Sequence, residues 1–226
     1  MDANEKMREF FDGLAPDWSP PEADYNIREE LVDMMGIPEG SLIVDIGSGR
    51  GVMFPHLLKT NPCGLISVEL SAEMSRFAQQ DHDDSRISYI NCDILEADLP
   101  AVDAAVIFNA YPHFLDKKAL SRKLAAHVKP GGMFVIAHSR SKEHINNAHI
   151  DGPMAPLSML IRDADEEAAD YAEFFTVDTL VDSNEMYFIK LLRKEESGDS
   201  DSDKANSKKK KIFSWPLYPI CPVKTY

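Results

Sequence analysis

The sequence predicts an α/β domain on one doubly wound, mostly parallel seven-stranded sheet, with an antiparallel C-terminal hairpin at one edge. Three observations predict it. Short apolar, β-branched segments alternate with helix-length ones in a βα rhythm, a glycine-rich turn follows the first such segment, and two late apolar segments are separated only by Asp182-Ser183-Asn184. The strands are expected at 42–47 (LIVDIG), 65–70 (LISVEL), 87–93 (ISYINCD), 102–108 (VDAAVIF) and 133–138 (MFVIAH), and the hairpin at 174–181 and 185–192. Helices are expected at 52–60, 71–80, 116–127 and 141–149, each near crossover length. Ahead of the first strand, MREFFDGLAPDW and NIREELVDMMGI carry apolar residues at helical spacing, interrupted by Pro20-Pro21, and predict two cap helices within residues 1–40.

The chain has 226 residues, 44% hydrophobic and 27% charged, enough to bury one substantial core. Its formal charge of −14 repels phosphate backbones and argues against DNA as a partner. Apolar runs fall short of the roughly 18 residues that span a bilayer, and MDANEKMREFFDG is charged where a signal peptide would be apolar. A cytoplasmic protein without stable membrane insertion is expected. The three cysteines, Cys63, Cys92 and Cys221, form no CxxC or zinc-ribbon spacing, which fits a reduced compartment.

Composition changes near residue 195, so residues 1–194 are read as the domain and 195–226 as a disordered charged linker with a proline- and aromatic-rich tail. Five acids and six lysines give that segment +1, which leaves −15 on the body. Pro216, Pro219 and Pro222 suit an extended conformation, so residues 212–226 are read either as an unstructured extension or as a segment that docks on a protein partner or a membrane surface.

Ligands of open parallel sheets bind beyond the carboxyl ends of the strands. The sharpest signal there is VDIGSGRG, Val44 to Gly51, with glycines at 47, 49 and 51. Glycines allow a tight strand-to-helix turn and a close backbone approach to a ligand. A dinucleotide fingerprint would place its third glycine at 52, which is Val52, whereas here the spacing is GxGxG with Asp45 two residues upstream. On these residues the sequence resembles the class I S-adenosylmethionine-dependent methyltransferases over residues 10–194, which implies a Rossmann-like fold and S-adenosyl-L-methionine as cofactor. A carboxylate-rich site suits that donor, which carries a sulfonium, an ammonium and a ribose diol but no phosphate.

Asp45 can attract the ammonium, with the backbone of Gly47, Ser48, Gly49 and Gly51 beside the methionine portion. Glu69, 18 residues past Gly51 and followed by Leu70, can accept both ribose hydroxyls. The resemblance implies that Asp93, in YINCD, lies near the adenine amino group, with Ile94 against the ring. The turn Lys129-Pro130-Gly131-Gly132 also matches the family and bears on fold alone.

FNAYPHF, Phe108 to Phe114, falls where the family positions its acceptor. Enzymes of the family that methylate amino groups of nucleic acids carry Asn or Asp before Pro-Pro-aromatic, and Asn109-Ala110-Tyr111-Pro112 departs from that. The segment is more similar to the small-molecule branch, and FFDGLAPDW is loosely similar to the start of ubiquinone and menaquinone biosynthesis methyltransferases. A small-molecule acceptor is therefore expected, with Asn109 and Tyr111 orienting it, Asn109 also among the cofactor-binding residues, and His113 as general base. His138 is the second candidate base, and Arg140 can bind an acceptor carboxylate or phosphate. His144 and His149, five residues apart, do not share a helix face, so no metal is expected. Met154, Leu157, Met159 and Leu160 suit either a lid or packing on the sheet, ahead of an acidic helix. Protein methylation and a non-catalytic donor-binding or assembly module are the alternative functions.

Overall fold

The computed structural model describes residues 2–19 and 24–195. Pro20-Pro21 and the segment 196–226, with its expected linker and partner-binding tail, lie outside the described residues. Seven strands form one sheet: β1 (Leu42–Ile46), β2 (Gly64–Glu69), β3 (Ile87–Asn91), β4 (Val102–Phe108), β5 (Val128–His138), β6 (Phe175–Asp182) and β7 (Tyr187–Arg193), in the order β3-β2-β1-β4-β5-β7-β6. The first five pair in parallel, while β7 pairs antiparallel with β5 and with β6.

Seven helices accompany them among the described residues: α1 (Ala3–Leu14), α2 (Tyr25–Met35), α3 (Phe54–Leu57), α4 (Ala72–Asp81), α5 (Lys117–His127), α6 (Lys142–Ile150) and α7 (Ala164–Ala169). Their starts are written locally. Asp2 and Glu5 close a capping box on α1, and Ser71, Asp116 and Ser141 accept backbone N–H groups at the starts of α4, α5 and α6. Gly36 in the left-handed region ends α2.

Strand alternation divides the core into two layers. Val44, Ile46, Val68, Ile107 and Ile136 point to one face, where Leu120 and Leu124 of α5, Ile145 of α6 and Ala168 of α7 cover them. Ile43, Leu65, Ala104, Val106 and Val135 point to the other, under Leu31, Val32 and Met35 of α2, Phe54 and Leu57 of α3, and Ala78 of α4. Both faces are covered, which is why these strands read as continuous apolar runs. The α1 helix packs against α4 and against the 3-10 turn Ala155–Leu157, across the carboxyl ends of the strands.

Two local expectations change. The helix expected at 52–60 is four residues of α3 followed by a 3-10 turn, Leu58–Thr60, that Asn61 ends in the left-handed region. The Lys129–Gly132 turn lies inside β5 as a bulge, because pairing jumps from Val102↔Val128 to Ala104↔Met133. A Cβ on Gly132 would come 2.8 Å from the carbonyl oxygens of Asp103 and Lys129, so a side chain has no room there. Cys92 is a free thiol. No helix among the described residues is long and apolar enough to cross a membrane.

Candidate active site

The chain runs from β1 outward to β2 and β3, then returns to place β4 and β5 on the other side of β1. Crossovers leaving in opposite directions open a crevice at the carboxyl ends of β1 and β4. A cavity of about 430 Å³ lies there, floored by the Gly47–Gly49 turn and roofed by α1 through Asn4, Met7 and Phe11.

Gly47, Gly49 and Gly51 all take positive φ, but they serve different ends. A Cβ on Gly49 would meet nothing within 4 Å, so the backbone stands open to the cavity. A Cβ on Gly51 would lie 2.5 Å from the Phe54 ring, so this glycine lets α3 pack and does not line the cavity. The Ser48 hydroxyl is engaged with Ser67 at 2.7 Å, which leaves its backbone on the cavity side.

Glu69 is buried at the end of β2 and accepts the N–H of Gly49 through Oε2 and that of Ser71 through Oε1, both at 2.8 Å. Burial raises its pKa, opposed by those backbone donors. Each oxygen keeps a second lone pair for a ligand hydroxyl. Leu70 and Met74 continue the same wall. Asp93 accepts from the Asn4 amide at 2.6 Å and from the N–H of Leu95 at 2.9 Å, and Ile94 is buried beside it. Both line the cavity.

Asp45 is buried on the α2–α4 side of the sheet, beneath the loop, and does not line the cavity. Burial, then the nearby Glu69 carboxylate, push its pKa up to about 7, and its Oδ2 has no hydrogen-bond partner. Asp45 thus meets the glycine turn from beneath rather than the cavity itself.

After β4, Asn109 adopts φ +52, a left-handed conformation that asparagine tolerates better than most residues. Its side chain is committed to Ser139: Oδ1 accepts the Ser139 N–H and Nδ2 donates to the hydroxyl, both at 3.0 Å. Asn109 thus fixes where the acceptor loop leaves the sheet while its residue still lines the cavity. His113 lines it too, edge-on to Phe11 and His149 at centroid distances of 5.2 Å. Its Nδ1 lies 3.1 Å from the Leu157 carbonyl and 3.1 Å from the Ser158 hydroxyl. A carbonyl only accepts, so Nδ1 carries the proton and Nε2 is the ring's remaining lone pair. Burial lowers the His113 pKa to about 4, well under the value expected of a free imidazole.

Two candidates from the sequence are not brought to the cavity. Tyr111 is fully buried in the opposite direction, its hydroxyl donating to Glu167 at 2.9 Å and meeting the Tyr171 hydroxyl at 3.1 Å. The 3-10 turn Tyr111–His113 turns successive side chains to different sides, which sequence adjacency to Asn109 conceals. His138 is buried against Tyr187 with Nε2 unpartnered, and burial lowers its pKa to about 3. Neither side chain lines the cavity. Arg140 pairs with Asp24 at 2.6 Å.

Sequence reasoning missed Ser139, Asp24 and Arg28. Arg28 had a signal: it falls on the buried stripe of α2 with Leu31, Val32 and Met35, a charge at an apolar position. No group of histidine, cysteine and acidic side chains among the described residues is arranged to hold a metal ion.

Residues 43–132 match a family described as a methyltransferase domain. An uncharacterized methyltransferase of Mycobacterium tuberculosis is 30% identical over 111 residues, 48% of this chain and 55% of that protein, so the chain spans about half the length of the curated relatives it matches. Among solved structures, a chain of the complex between the Haloferax volcanii Trm112 methyltransferase activator and a methyltransferase superposes with a TM-score of 0.67 at 17% identity, covering 82% of this chain and 98% of that one. The N-methyltransferase NodS from Bradyrhizobium japonicum WM9 with S-adenosyl-l-homocysteine gives 0.65 at 16% identity, covering 86% and 100%. At such identities the structural likeness is one of fold.

Proposed function

We propose that this chain, a member of the class I S-adenosylmethionine-dependent methyltransferases, transfers a methyl group directly from S-adenosylmethionine to a small-molecule acceptor. The observation that carries the reading is the Gly47–Gly49 turn, open at Gly49 and tied to the buried Glu69 carboxylate at 2.8 Å, on the floor of a cavity of about 430 Å³. The residues present fit the donor. A Cβ-free backbone leaves room for its methionine portion, Glu69 has acceptors for a ribose diol, and Asp93 with Ile94 offers a carboxylate beside an apolar wall for adenine. When bound, the donor supplies a methyl group on a sulfonium, already a good leaving group.

The protein's own contribution is position and exclusion of water. Ser139 clamps Asn109 where the chain leaves β4, and beyond it Ala110, His113 and Phe114 line the cavity, Ala110 and Phe114 close against Gly47. Phe11 and Met7 of α1 close the roof, which suits an acceptor with an apolar body. The His113 Nε2 lone pair can take a proton from the acceptor, though with a pKa near 4 it is a weak base and suits an acceptor that is already nucleophilic.

The test is calorimetric titration with S-adenosylmethionine and S-adenosylhomocysteine, with Glu69→Ala as control and NAD as competitor. Micromolar binding lost in the variant and untouched by NAD is expected. No binding by folded wild-type protein would discard the reading.

A further inference from the structure

Arg28 is the one cation among the described residues that line the cavity. It is only 5% exposed, and its Nε has no hydrogen-bond partner. Among the described residues its guanidinium has no ion-pair or hydrogen-bond acceptor at all. Asp24, one turn earlier, ion-pairs with Arg140 through Oδ1 at 2.6 Å without a hydrogen bond there, accepts the Ser139 hydroxyl on Oδ2 at 3.0 Å, and acts on Arg28 through its charge alone. The three charges Asp24, Arg28 and Arg140 therefore leave one positive charge uncompensated. Burial holds the Arg28 pKa below its ordinary value, with Asp24 opposing, yet a guanidinium stays protonated at any physiological pH. A buried charge without a partner is an arrangement that folds rarely keep unless a ligand completes it.

We infer that Arg28 is a carboxylate-binding residue, completed by a carboxylate on a molecule that occupies the cavity. The planar fork of a guanidinium matches a carboxylate bidentately. A doubly charged phosphate is disfavoured, because Glu69, Asp93 and Asp116 line the same cavity. Two molecules can bring that group: the donor, through its amino-acid end, or an acidic acceptor. The inference rests on the proposed donor site, since the arms below assume where the adenosine end binds.

The experiment compares wild type, Arg28→Gln and Arg28→Lys by calorimetry with S-adenosylhomocysteine, with 5′-methylthioadenosine, which lacks the amino-acid end, and with benzoate and hexanoate added to protein saturated with S-adenosylhomocysteine. If the donor supplies the carboxylate, Arg28→Gln weakens S-adenosylhomocysteine on the order of tenfold or more, Arg28→Lys recovers part of it, and methylthioadenosine binds all three alike. If the acceptor supplies it, S-adenosylhomocysteine binds all three alike, while the monocarboxylates bind wild type and not Arg28→Gln. Independence from Arg28 in both arms overturns the inference. Unchanged methylthioadenosine binding certifies that a variant is folded. If methylthioadenosine fails to bind wild type, the donor reading falls, and the monocarboxylate arm, run without nucleoside, still decides for Arg28.

Discussion

Glu167→Gln tests how the acceptor loop is anchored. Glu167 on α7 is fully buried and accepts Lys117 Nζ on both oxygens at 2.8 Å, the Tyr111 hydroxyl at 2.9 Å and the Arg162 N–H at 3.0 Å. Lys117, at the start of α5, is only 7% exposed, and its ammonium lies 4.5 Å from the centroid of the Tyr111 ring. The substitution keeps the shape but leaves a buried ammonium facing an amide instead of a carboxylate. Breaking one side of a buried pair costs about 3–5 kcal/mol, a large part of the roughly 5–15 kcal/mol by which domains are stable. At about 2–4 °C per kcal/mol for a domain of this size, the melting temperature should fall by about 6–20 °C. Lys117→Met should cost less, because Glu167 keeps the Arg162 guanidinium at 3.2 Å, and the double variant less than the sum, because the ammonium is no longer stranded. Urea unfolding of the four proteins gives the coupling. A loss under about 1 kcal/mol in Glu167→Gln, or strict additivity, would mean that the Lys117–Glu167 pair does not anchor the loop.

The two glycines of the turn should part company. Gly49→Ala pays only left-handed strain of about 1–2 kcal/mol yet places a methyl group in the cavity, so the protein stays folded and loses S-adenosylhomocysteine affinity. Gly51→Ala adds about 1–3 kcal/mol of overpacking against Phe54 to the same strain, so its urea midpoint falls further. Equal midpoints would contradict the division of roles. Asp45 holds a proton in the folded state up to about pH 7, whereas the unfolded chain releases it near the ordinary carboxylate value. Folded protein therefore binds more protons across that window and loses stability as pH rises through it. Asp45→Asn should be close to neutral at pH 4 and stabilising at pH 8 by urea unfolding, and the same effect at both would contradict the assignment. His113 titrates near pH 4, so a turnover limb owed to it should appear there and not near pH 6.5. If His113→Ala keeps wild-type turnover at every pH, it is not the base.

Much of the fold is legible in the chain because it is written in local terms. The apolar alternation of Leu42–Ile46 and Val102–Phe108, the Ser and Asp caps, and the short Asp182-Ser183-Asn184 connection each act within a few residues. The positions of Gly47, Gly49, Glu69, Asp93 and Ile94 at the cavity were legible for the same reason, since a strand end is a fixed place relative to the sheet. The direction of a side chain in an irregular turn is not local. Tyr111 and His113 are two residues apart, yet one enters the core toward Glu167, 56 residues onward, and the other faces α1, about 100 residues earlier.

The layers, the strand ends and the glycine turn follow from residue order, because periodicity, capping and backbone freedom depend on neighbours along the chain. Which charges meet is set by tertiary structure. It paired Asp24 with Arg140, raised the pKa of Asp45 by burying it and setting Glu69 nearby, closed Glu167 on Lys117, and left Arg28 unpaired in the cavity. Electrostatic energy depends on separation and burial in space, and neither is a property of sequence order.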